Sequence, residues 1–432
     1  MNPELDYTQR ERRLVAWSAI LGYAFDFYNL IILAFLLVPI QNSLHISLAQ
    51  MGIVIAMTLA ASVIGGVLFG WLGDRTGRKN ALLLTLLLLA AGSIFSALAW
   101  DFFSFLIFRI LTGIGVGGEW GAGMVLLNEV WDNRRRGVGS AIVQAMSSAG
   151  TALASIAATA ALAGLAPDLA WRAALSVGGV PLLLMLFVRS KMPESRLWLE
   201  YRRRLAAGEL PPEKLTESAP VLEILKGPAL NYFILGTLVA GGYVINYQSI
   251  SVFMPTLMTR DLGAGLSALR DLTLAFALIS AVGMIAAGYV SDAWGRRRSV
   301  LLSTAVGVAG LAGIYLSAGG PFPGGFLAWP LFWWYLLWGF GQGAVGQFGP
   351  WFAELYPVEM RATAASTIFA CGRLVGAIAP YLVPLLAVAL GNLRDAMMFA
   401  VVGSAGSLAA ALFLPETAAR PFAVVEGKAR TA

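Results

Sequence analysis

Long apolar runs alternate with short polar turns along almost the whole chain. Twelve of these runs are long enough, at about 20 residues, for a helix to cross the hydrocarbon core of a membrane. We number them as spans 1 to 12; they cover residues 14–40, 51–73, 80–100, 102–127, 137–164, 170–191, 229–258, 270–292, 298–319, 329–353, 361–391 and 393–414. The pattern therefore predicts an all-α membrane protein with twelve transmembrane helices.

The second half of this pattern repeats the first half. The Gly-punctuated basic turn GWLGDRTGRK at residues 70–79 recurs as GYVSDAWGRR at 288–297, and Asp292 lies 218 positions after Asp74 (292 − 74). The other matching segments are Gly22-Tyr23 with Gly242-Tyr243, Gly113, Gly115 and Gly117 with Gly339, Gly341 and Gly343, and Pro193-Glu194-Ser195 with Pro415-Glu416-Thr417. We expect two pseudo-symmetric six-helix bundles, 1–191 and 229–432, joined by a polar cytoplasmic linker at 192–228. Six helices per half leave both copies in the same orientation, so a substrate site is expected between them near the midplane.

Composition supports lipid as the main solvent of the chain. Of the 432 residues, 58% are hydrophobic and 12% are charged, and the mean hydropathy is +0.74. A soluble domain carries roughly 25% charged residues. The net charge of +6 comes from basic residues in short loops, which argues against a nucleic-acid partner. The single Cys371 and the single His45 exclude a disulfide framework and most metal or histidine-based catalytic sites, so we expect no cofactor, no metal and no enzyme activity.

The basic residues lie mainly on one side of the predicted membrane. With the N-terminus inside, the inner segments hold 24 of the 30 Lys and Arg residues, because four lie in outer loops and two lie within spans (30 − 4 − 2). Inner loops of membrane proteins carry this excess of positive charge. We therefore expect a multi-pass protein of the plasma membrane, monomeric, with both termini in the cytoplasm.

Several of these motifs resemble the major facilitator superfamily over nearly the whole chain. The matching residues are 70–79 between spans 2 and 3, Arg109 with Gly113, Gly115 and Gly117 in span 4, Glu129 with Arg136, and Glu354-Leu355-Tyr356-Pro357 with Arg361. The resemblance implies the twelve-helix fold of that superfamily and transport by alternating access. For Arg109 it implies a role in proton movement or in bonding span 1, whereas a position near the outer side would let its guanidinium reach the interface.

Span 4 narrows the resemblance. The segment GGEWG at 117–121 resembles the corresponding segment of the carboxylate:proton symporters, a branch of the superfamily that includes lactate and sialate transporters. Asp26 in span 1 agrees, because acid-transporting relatives often carry an Asp there. Span 7 has Asn246 and Gln248 where the lactate permeases have a His-containing motif, so the resemblance does not extend to lactate itself.

Three charged residues lie deep within predicted spans, namely Asp26, Glu119 and Arg373. By helix rise, each lies about 15–18 Å from the inner face, close to the midplane. Charges at this depth are costly and therefore mark functional sites. We expect the three to meet at the site between the halves.

The residues leave two interpretations for each of these charges. Arg373 can bind a substrate carboxylate with two parallel hydrogen bonds, or it can neutralise Asp26 or Glu119 across the interface. In an apolar site Glu119 can exchange a proton near neutral pH, or it can form a packing hydrogen bond beside the glycines of span 4. Asp26 can do the same as Glu119, or it can orient Arg373.

Neutral side chains complete the predicted site. Asn246 occupies the repeat position of Asp26 (26 + 220) and, with Gln248, could donate neutral hydrogen bonds to substrate. Further candidate substrate contacts, for which helix packing is the alternative, are Tyr28, Asn29, Trp120, Gln144 and Gln342.

The turns on the inner side are predicted to close that side of the protein. Asp74 can interact with a helix dipole and pair with a nearby arginine, and charge pairs are predicted for Glu129 with Arg136 and for Glu354 with Arg361. The predicted gate residues are Asp74, Arg75, Arg78, Glu129, Arg136, Asp292, Glu354 and Arg361. A role in setting the membrane topology would explain the basic gate residues. It would not explain the acids Asp74, Glu129 and Glu354.

The sequence thus predicts a proton-coupled symporter of a small organic anion. One alternative is a transporter of a neutral or cationic solute, such as a sugar or a drug. Another is a transporter-like receptor that does not transport.

Overall fold

The computed structural model describes residues 7–181, 191–209, 223–254, 257–264, 266–317, 323–358 and 360–418. Within these ranges the chain forms helices and turns, and no β-strand is present. The helices of the first half are α1 Gln9–Leu44, α2 Leu48–Thr76, α3 Arg78–Ala97, α4 Phe102–Val130, α5 Arg136–Gly164 and α6 Pro167–Val177. A short helix, α7 Arg196–Ala206, lies within the predicted linker.

The second half has the same order of long helices with more interruptions. Its helices are α8 Gly227–Ser251, α9 Leu266–Trp294, α10 Arg296–Ser317, α11 Pro330–Gly341, α12 Phe348–Glu354, α13 Arg361–Gly376, α14 Ile378–Leu390, α15 Leu393–Met397 and α16 Phe399–Phe413. Single helical turns occur at Asn133–Arg135 and Leu257–Asp261. The prediction of an all-α membrane protein is confirmed.

Ten helical stretches of the described residues are long and apolar enough to cross a membrane. Of the predicted span 6, residues 182–190 lie outside the described residues. Span 10 was predicted as one helix, but a 3₁₀ segment at Gln342–Gln347 separates α11 from α12. This segment contains two glycines, and Pro350 follows it without a backbone N–H, so an α-helix is weakly supported here.

Capping boxes fix where three helices of the first half begin. Thr8, Ser47 and Asp101 each accept a hydrogen bond from the backbone N–H three residues later, at α1, α2 and α4. In each case the side chain of that third residue bonds back to the backbone of the capping residue. Polar pairs in the sequence thereby set the start of each apolar run.

The repeated glycines let neighbouring helices touch. A Cβ atom on Gly117 would lie 1.8 Å from the Ser62 carbonyl oxygen, so no larger residue fits between α4 and α2. In the second half, a Cβ atom on Gly343 would lie 2.5 Å from the Gly283 carbonyl oxygen. These glycines serve close packing in both copies, as small residues do between membrane helices.

The buried hydrophobic side chains show how the two halves meet. We call the end of the bundle with the turns 70–79 and 288–297 the basic end, and the other the opposite end. One core cluster at the basic end joins both halves, with Val15 and Trp120 from the first and Phe348 and Phe369 from the second. At the opposite end, one cluster belongs to the first half and a separate one to the second. The halves are therefore packed together at the basic end.

Candidate functional site

Asp26, Glu119 and Arg373 lie together between the halves, the two acids near the middle of α1 and α4 and the arginine in the last turn of α13. Asp26 is fully buried, Glu119 is 2% exposed and Arg373 is half-buried. The Asp26 carboxyl interacts directly with the Glu119 carboxyl, and both lie in the field of the Arg373 guanidinium. The structure brings together the three charges that the sequence singled out, while their roles stay predictions.

The Asp26 carboxyl lacks a hydrogen-bond donor. Among the described residues, none donates to either of its oxygens. A carboxylate only accepts hydrogen bonds, so Asp26 and Glu119 can bond to each other only when one of them is protonated. Two neighbouring carboxylates that were both charged would also repel each other strongly in a buried site. The pair is therefore suited to hold a proton.

Gly22 makes room for this pair. A Cβ atom at Gly22 would lie 2.3 Å from Oε1 of Glu119, so the carboxyl packs directly on the backbone of α1. A Cβ atom at Gly123, one turn further along α4, would lie 3.1 Å from the same oxygen. The glycine of the repeated Gly-Tyr pair thus has a specific function in the first half.

Arg373 is held by aromatic side chains rather than by an acid. Its guanidinium carbon lies 4.6 Å from the centre of the Phe369 ring, and its side chain is also close to Tyr23. Phe369 in turn stacks on Trp120 of the other half, with ring centres 4.1 Å apart. Arg373 takes part in no ion pair recorded among the described residues. Its charge is therefore available to an anion.

Asn246 and Gln342 lie in a polar network inside the second half. Asn246 donates to Ser404 Oγ at 2.7 Å and accepts from Trp338 Nε1 at 3.1 Å. Gln342 donates to the Trp338 carbonyl at 3.1 Å, and its own Oε1 accepts no bond from the described residues. Both side chains, with Tyr243, line a small cavity between α8, α10, the span-10 region and α16.

Gln144 and Trp120 connect the halves. Trp120 Nε1 donates to Gln144 Oε1 at 3.3 Å, and Gln144 Nε2 donates to the Val345 carbonyl at 3.1 Å. Through these two bonds, both side chains help to hold the halves together beside Glu119.

The three remaining candidate substrate contacts are Tyr28, Asn29 and Gln248. The Tyr28 hydroxyl donates to the Ala174 carbonyl, which ties α1 to α6. Asn29 Nδ2 donates to the carbonyl of Phe25 at 2.9 Å in its own helix. Gln248 is half-buried on α8. These bonds of Tyr28 and of the Asn29 Nδ2 match the helix-packing interpretation, while the buried Oδ1 of Asn29 accepts no hydrogen bond from the described residues.

Arg109 is fully buried within the first half. Its Nη2 donates to the Asn29 carbonyl at 2.7 Å, which is the bond to span 1 that the family resemblance implied. Nε and Nη1 have no hydrogen-bond partner among the described residues. The guanidinium is buried inside the first half rather than exposed at its surface, and a role in proton movement stays a prediction.

At the basic end, an aspartate of each half caps a helix of the other half. Asp74 accepts from the backbone N–H of Thr363 at 2.9 Å and from its hydroxyl at 2.7 Å, at the start of α13. Asp292 accepts from the backbone N–H groups of Gly137 at 2.8 Å and Val138 at 2.9 Å, at the start of α5. A carboxylate at a helix N-terminus is stabilised by the free N–H groups and the helix dipole.

The glutamate–arginine pairs also cross between the halves. Glu129 pairs with Arg361 at 3.1 Å, and Glu354 pairs with Arg136 at 3.7 Å. The predicted pairs, Glu129 with Arg136 and Glu354 with Arg361, joined each glutamate to the arginine of its own half, and the structure exchanges the partners. Because the halves are packed together here, each glutamate can also reach an arginine of the facing half.

The arginine of each basic turn completes these clusters. Arg78 is fully buried and pairs with Asp74 and Glu129, each at 3.2 Å. It also donates to the Val358 carbonyl of the other half at 2.9 Å. The corresponding pairs of the second half are Arg296 with Asp292 at 2.7 Å and with Glu354 at 3.1 Å.

Arg75 lies outside these clusters. Its side chain is exposed, and its guanidinium carbon lies 4.7 Å from the centre of the Trp71 ring. A cation over an aromatic ring at this position fits a charge that sets topology.

Two further acids were noted only as a repeat, and no function was predicted for them. Glu194 accepts from the backbone N–H groups of Arg78 at 3.0 Å and Lys79 at 3.1 Å, at the start of α3. Burial raises the pKa of the Glu194 carboxyl above its usual value, against the opposing effect of these hydrogen bonds. Glu416 accepts from the backbone N–H groups of Arg296 at 2.8 Å and Arg297 at 3.2 Å, at the start of α10. The repeat at the end of each half was the signal for this shared function.

Comparison with known proteins agrees with this architecture. The family model of the sugar (and other) transporters matches residues 33–428. A putative metabolite transport protein of Haemophilus influenzae is 30% identical over 93% of this chain and 96% of its own length. A probable 4-methylmuconolactone transporter of Cupriavidus pinatubonensis is 29% identical over 94% of this chain and 91% of its own length. A cis,cis-muconate transport protein of Acinetobacter baylyi is 27% identical over 85% and 86%, respectively.

A solved structure shows the same fold. The proton:xylose symporter XylE of the major facilitator superfamily, bound to 6-bromo-6-deoxy-D-glucose, superposes with a TM-score of 0.78 and 18% sequence identity. The match covers 96% of this chain and 98% of that chain. The chain therefore belongs to the sugar (and other) transporter family of the major facilitator superfamily, and it is a multi-pass membrane transporter rather than an enzyme.

Proposed function

We propose that this transporter carries a small organic anion, a carboxylate, together with a proton. The observation that carries the proposal is the buried pair of Asp26 and Glu119 beside Arg373. Asp26 has no hydrogen-bond donor among the described residues unless the pair holds a proton. Buried acids of this kind serve as proton carriers in many transporters.

Arg373 supports an anionic substrate. A guanidinium stays charged in proteins and binds a carboxylate with two parallel hydrogen bonds. Arg373 is half-buried between the halves, and its guanidinium lies over the Phe369 ring rather than in an ion pair recorded for the described residues. A neutral sugar carries no charge that could pair with this guanidinium, whereas a carboxylate does.

Charge balance then links the proton to the substrate. With one proton on the pair of Asp26 and Glu119, the remaining negative charge balances Arg373. When a carboxylate binds Arg373, a second proton on the pair restores neutrality. Since an unbalanced charge is costly at this depth, we expect one proton to enter with each monoanion.

The relatives support an acidic substrate. Muconate, the printed substrate of the Acinetobacter baylyi protein, is a dicarboxylate. The Cupriavidus pinatubonensis relative is named for 4-methylmuconolactone, an organic acid. Both alignments extend over most of this chain, and an acidic substrate agrees with the positive charge of Arg373.

Alternating access provides the transport cycle. Because the inner loops of membrane proteins carry the excess of basic residues, the proposed cycle has the basic end facing the cytoplasm. The halves pack together at that end and have separate cores at the opposite end. We assign this arrangement to the state in which the central site faces outward, and a rocking motion of the halves would open the basic end.

Uptake into proteoliposomes tests the proposal. Labelled carboxylates and labelled sugars are offered with and without an inwardly directed proton gradient, to the wild type and to Glu119→Gln. We expect uphill uptake of a carboxylate in the wild type only. Glu119→Gln should still exchange substrate across the membrane, because Gln resembles the protonated acid but cannot release a proton.

Two results would contradict the proposal. Sugar uptake without carboxylate uptake would exclude an anionic substrate. Uphill uptake by Glu119→Gln would remove Glu119 from the proton pathway, and Asp26→Asn, tested in the same assay, then decides whether Asp26 alone carries the proton.

A further inference from the structure

Aromatic rings lead from Arg373 through the interior of the second half without a gap. The rings of the aromatic series, in order of contact, are Phe369, Phe348, Tyr243, Tyr247, Trp338, Phe276 and Tyr335. Their consecutive ring centres are 6.4, 5.4, 6.3, 6.2, 5.2 and 5.1 Å apart. All of these separations lie within the usual range for contacting aromatic side chains.

Most rings of the series are closed in by protein, and two are not. Trp338 and Phe348 are fully buried, and Phe369, Phe276 and Tyr335 are at most 9% exposed. Tyr243 and Tyr247 are only half-buried, and they lie one turn apart on α8. Tyr243 also borders the small polar cavity. These two rings are therefore the ones that a ligand can touch.

Tyr243 lies at the height of Arg373 on a neighbouring helix. A Cβ atom on Gly372 would lie 2.5 Å from Cβ of Ala240, and one on Gly376 would lie 2.1 Å from Cγ1 of Val244. The backbones of α13 and α8 therefore touch on both sides of the level of Arg373 and Tyr243.

The repeat adds a second tyrosine from the other half. Tyr243 is the copy of Tyr23, and the two tyrosines are near each other across the interface. Tyr23 also lies beside Arg373 and packs on Phe27, with ring centres 5.1 Å apart. A ligand that binds Arg373 is thus bordered by aromatic rings from both halves.

Resting on the proposed function, we propose that Tyr243 and Tyr247 select a planar aromatic or conjugated carboxylate. The carboxylate binds Arg373, and the flat unsaturated part of the ligand stacks on the two tyrosine rings. A saturated ring of the same size presents axial hydrogens and cannot lie flat on them, so it loses the stacking contribution.

Two acids of equal charge and similar size test the proposal. Benzoate and cyclohexanecarboxylate are titrated into the purified full-length protein, and affinities are measured by calorimetry. Stacking of the ligand on one aromatic ring increases its affinity by about twofold to tenfold. We expect the wild type to prefer benzoate by about tenfold, and Tyr247→Leu and Tyr243→Leu each to lose most of that preference.

Matched variants separate the ring from other effects. Tyr247→Phe keeps the ring and should keep the preference for benzoate. Tyr232→Leu makes the same change on α8, where Tyr232 contacts Tyr356 near the basic end, and should also keep it. Equal binding of the two acids by the wild type, or no benzoate binding, would overturn the inference even if the leucine variants do not fold.

The proposed function can fail separately. If another carboxylate drives proton-coupled uptake while benzoate does not bind, only the aromatic selection is wrong. If no carboxylate is taken up at all, the proposed function is wrong, and the selection falls with it.

Discussion

At the scale of single residues, the central site combines a charge that is permanent with two that can be neutralised. Arg373 keeps its proton under all physiological conditions, whereas Asp26 and Glu119 can each become neutral by binding one. A buried permanent charge requires a counter-ion. The aromatic surroundings of Arg373 supply none, so the counter-ion has to come from the acid pair or from substrate.

We predict that Arg373→Lys severely reduces transport although the positive charge is kept. An ammonium group is a point charge and cannot form two parallel hydrogen bonds with a carboxylate. Transport kinetics in proteoliposomes should show a loss of apparent affinity of at least about tenfold, corresponding to a charged hydrogen bond.

Arg172→Lys is the matched control for this prediction. Arg172 also lies over an aromatic ring, 4.2 Å from the centre of the Trp171 ring, but its guanidinium bonds to backbone carbonyls near the opposite end. Near-normal affinity in Arg373→Lys would show that this residue does not bind substrate.

At the scale of single helices, the ends rather than the middles carry most of the specific chemistry. The helices α3, α5, α10 and α13 each begin at a carboxylate that accepts from their first backbone N–H groups. For α3 and α10 that carboxylate comes from the last loop of the same half, at Glu194 and Glu416. The preceding Gly77 and Gly295 have positive φ values of 104° and 110°, which favour glycine.

We predict that Glu194→Ala and Glu416→Ala each destabilise the protein by about 0.5–2 kcal/mol, the usual effect of losing a helix cap. Thermal unfolding of the purified protein should show a lower Tm for both variants. The glutamine variants at the same positions keep an accepting oxygen and should recover part of the loss.

Glu200→Ala serves as the comparison for this pair. Glu200 pairs with Arg203 and Arg204 on the surface of α7, where an ion pair contributes little. A decrease in Tm no larger for Glu194→Ala than for Glu200→Ala would argue against the capping function.

At the scale of the whole molecule, the two halves are joined through reciprocal contacts at the basic end. Asp74 of the first half caps α13 of the second, and Asp292 of the second half caps α5 of the first. The same reciprocity holds for the pairs of Glu129 with Arg361 and Glu354 with Arg136. Opening the basic end has to break all of these contacts, which gives the closed state a specific free-energy advantage.

We predict that Asp74→Asn shifts the protein toward the state that is open at the basic end. The amide loses the negative charge, and its NH₂ group cannot accept the bonds that Thr363 donates. The shift should be about 1–3 kcal/mol, the range of coupling energies between sites. Substrate affinity should stay within a few-fold, since Asp74 lies well away from the midplane.

Cysteine labelling measures this shift in a background from which Cys371 has been removed. A reporter cysteine at the opposite end should become less accessible in Asp74→Asn, and Asp292→Asn should act in the same direction because of the repeat. If accessibility is unchanged while substrate binding is lost, Asp74 belongs to folding or to the binding site instead of the gate.

The comparison of sequence and structure separates local from long-range determinants. The apolar runs, the capping boxes and the Gly-rich turns were readable because exclusion of water and local backbone preferences act on neighbouring residues. The interruption of span 10 at Gln342–Gln347 was missed, because its glycines also fitted a repeat of the unbroken span 4. The closeness of Asp26, Glu119 and Arg373 was predictable, since helix rise alone places them at one depth.

The twelve runs, the two copies and the charges near the membrane centre follow from the amino-acid sequence, because each depends on spacing along one chain. Helix packing had to be known before Asn246 could be placed in a network of the second half, the gate pairs across the two halves, and Glu194 and Glu416 at helix starts. Those outcomes depend on distances between residues far apart in the chain. Such distances are set by how the helices pack, and many pairings are compatible with one pattern of hydrophobic and charged positions.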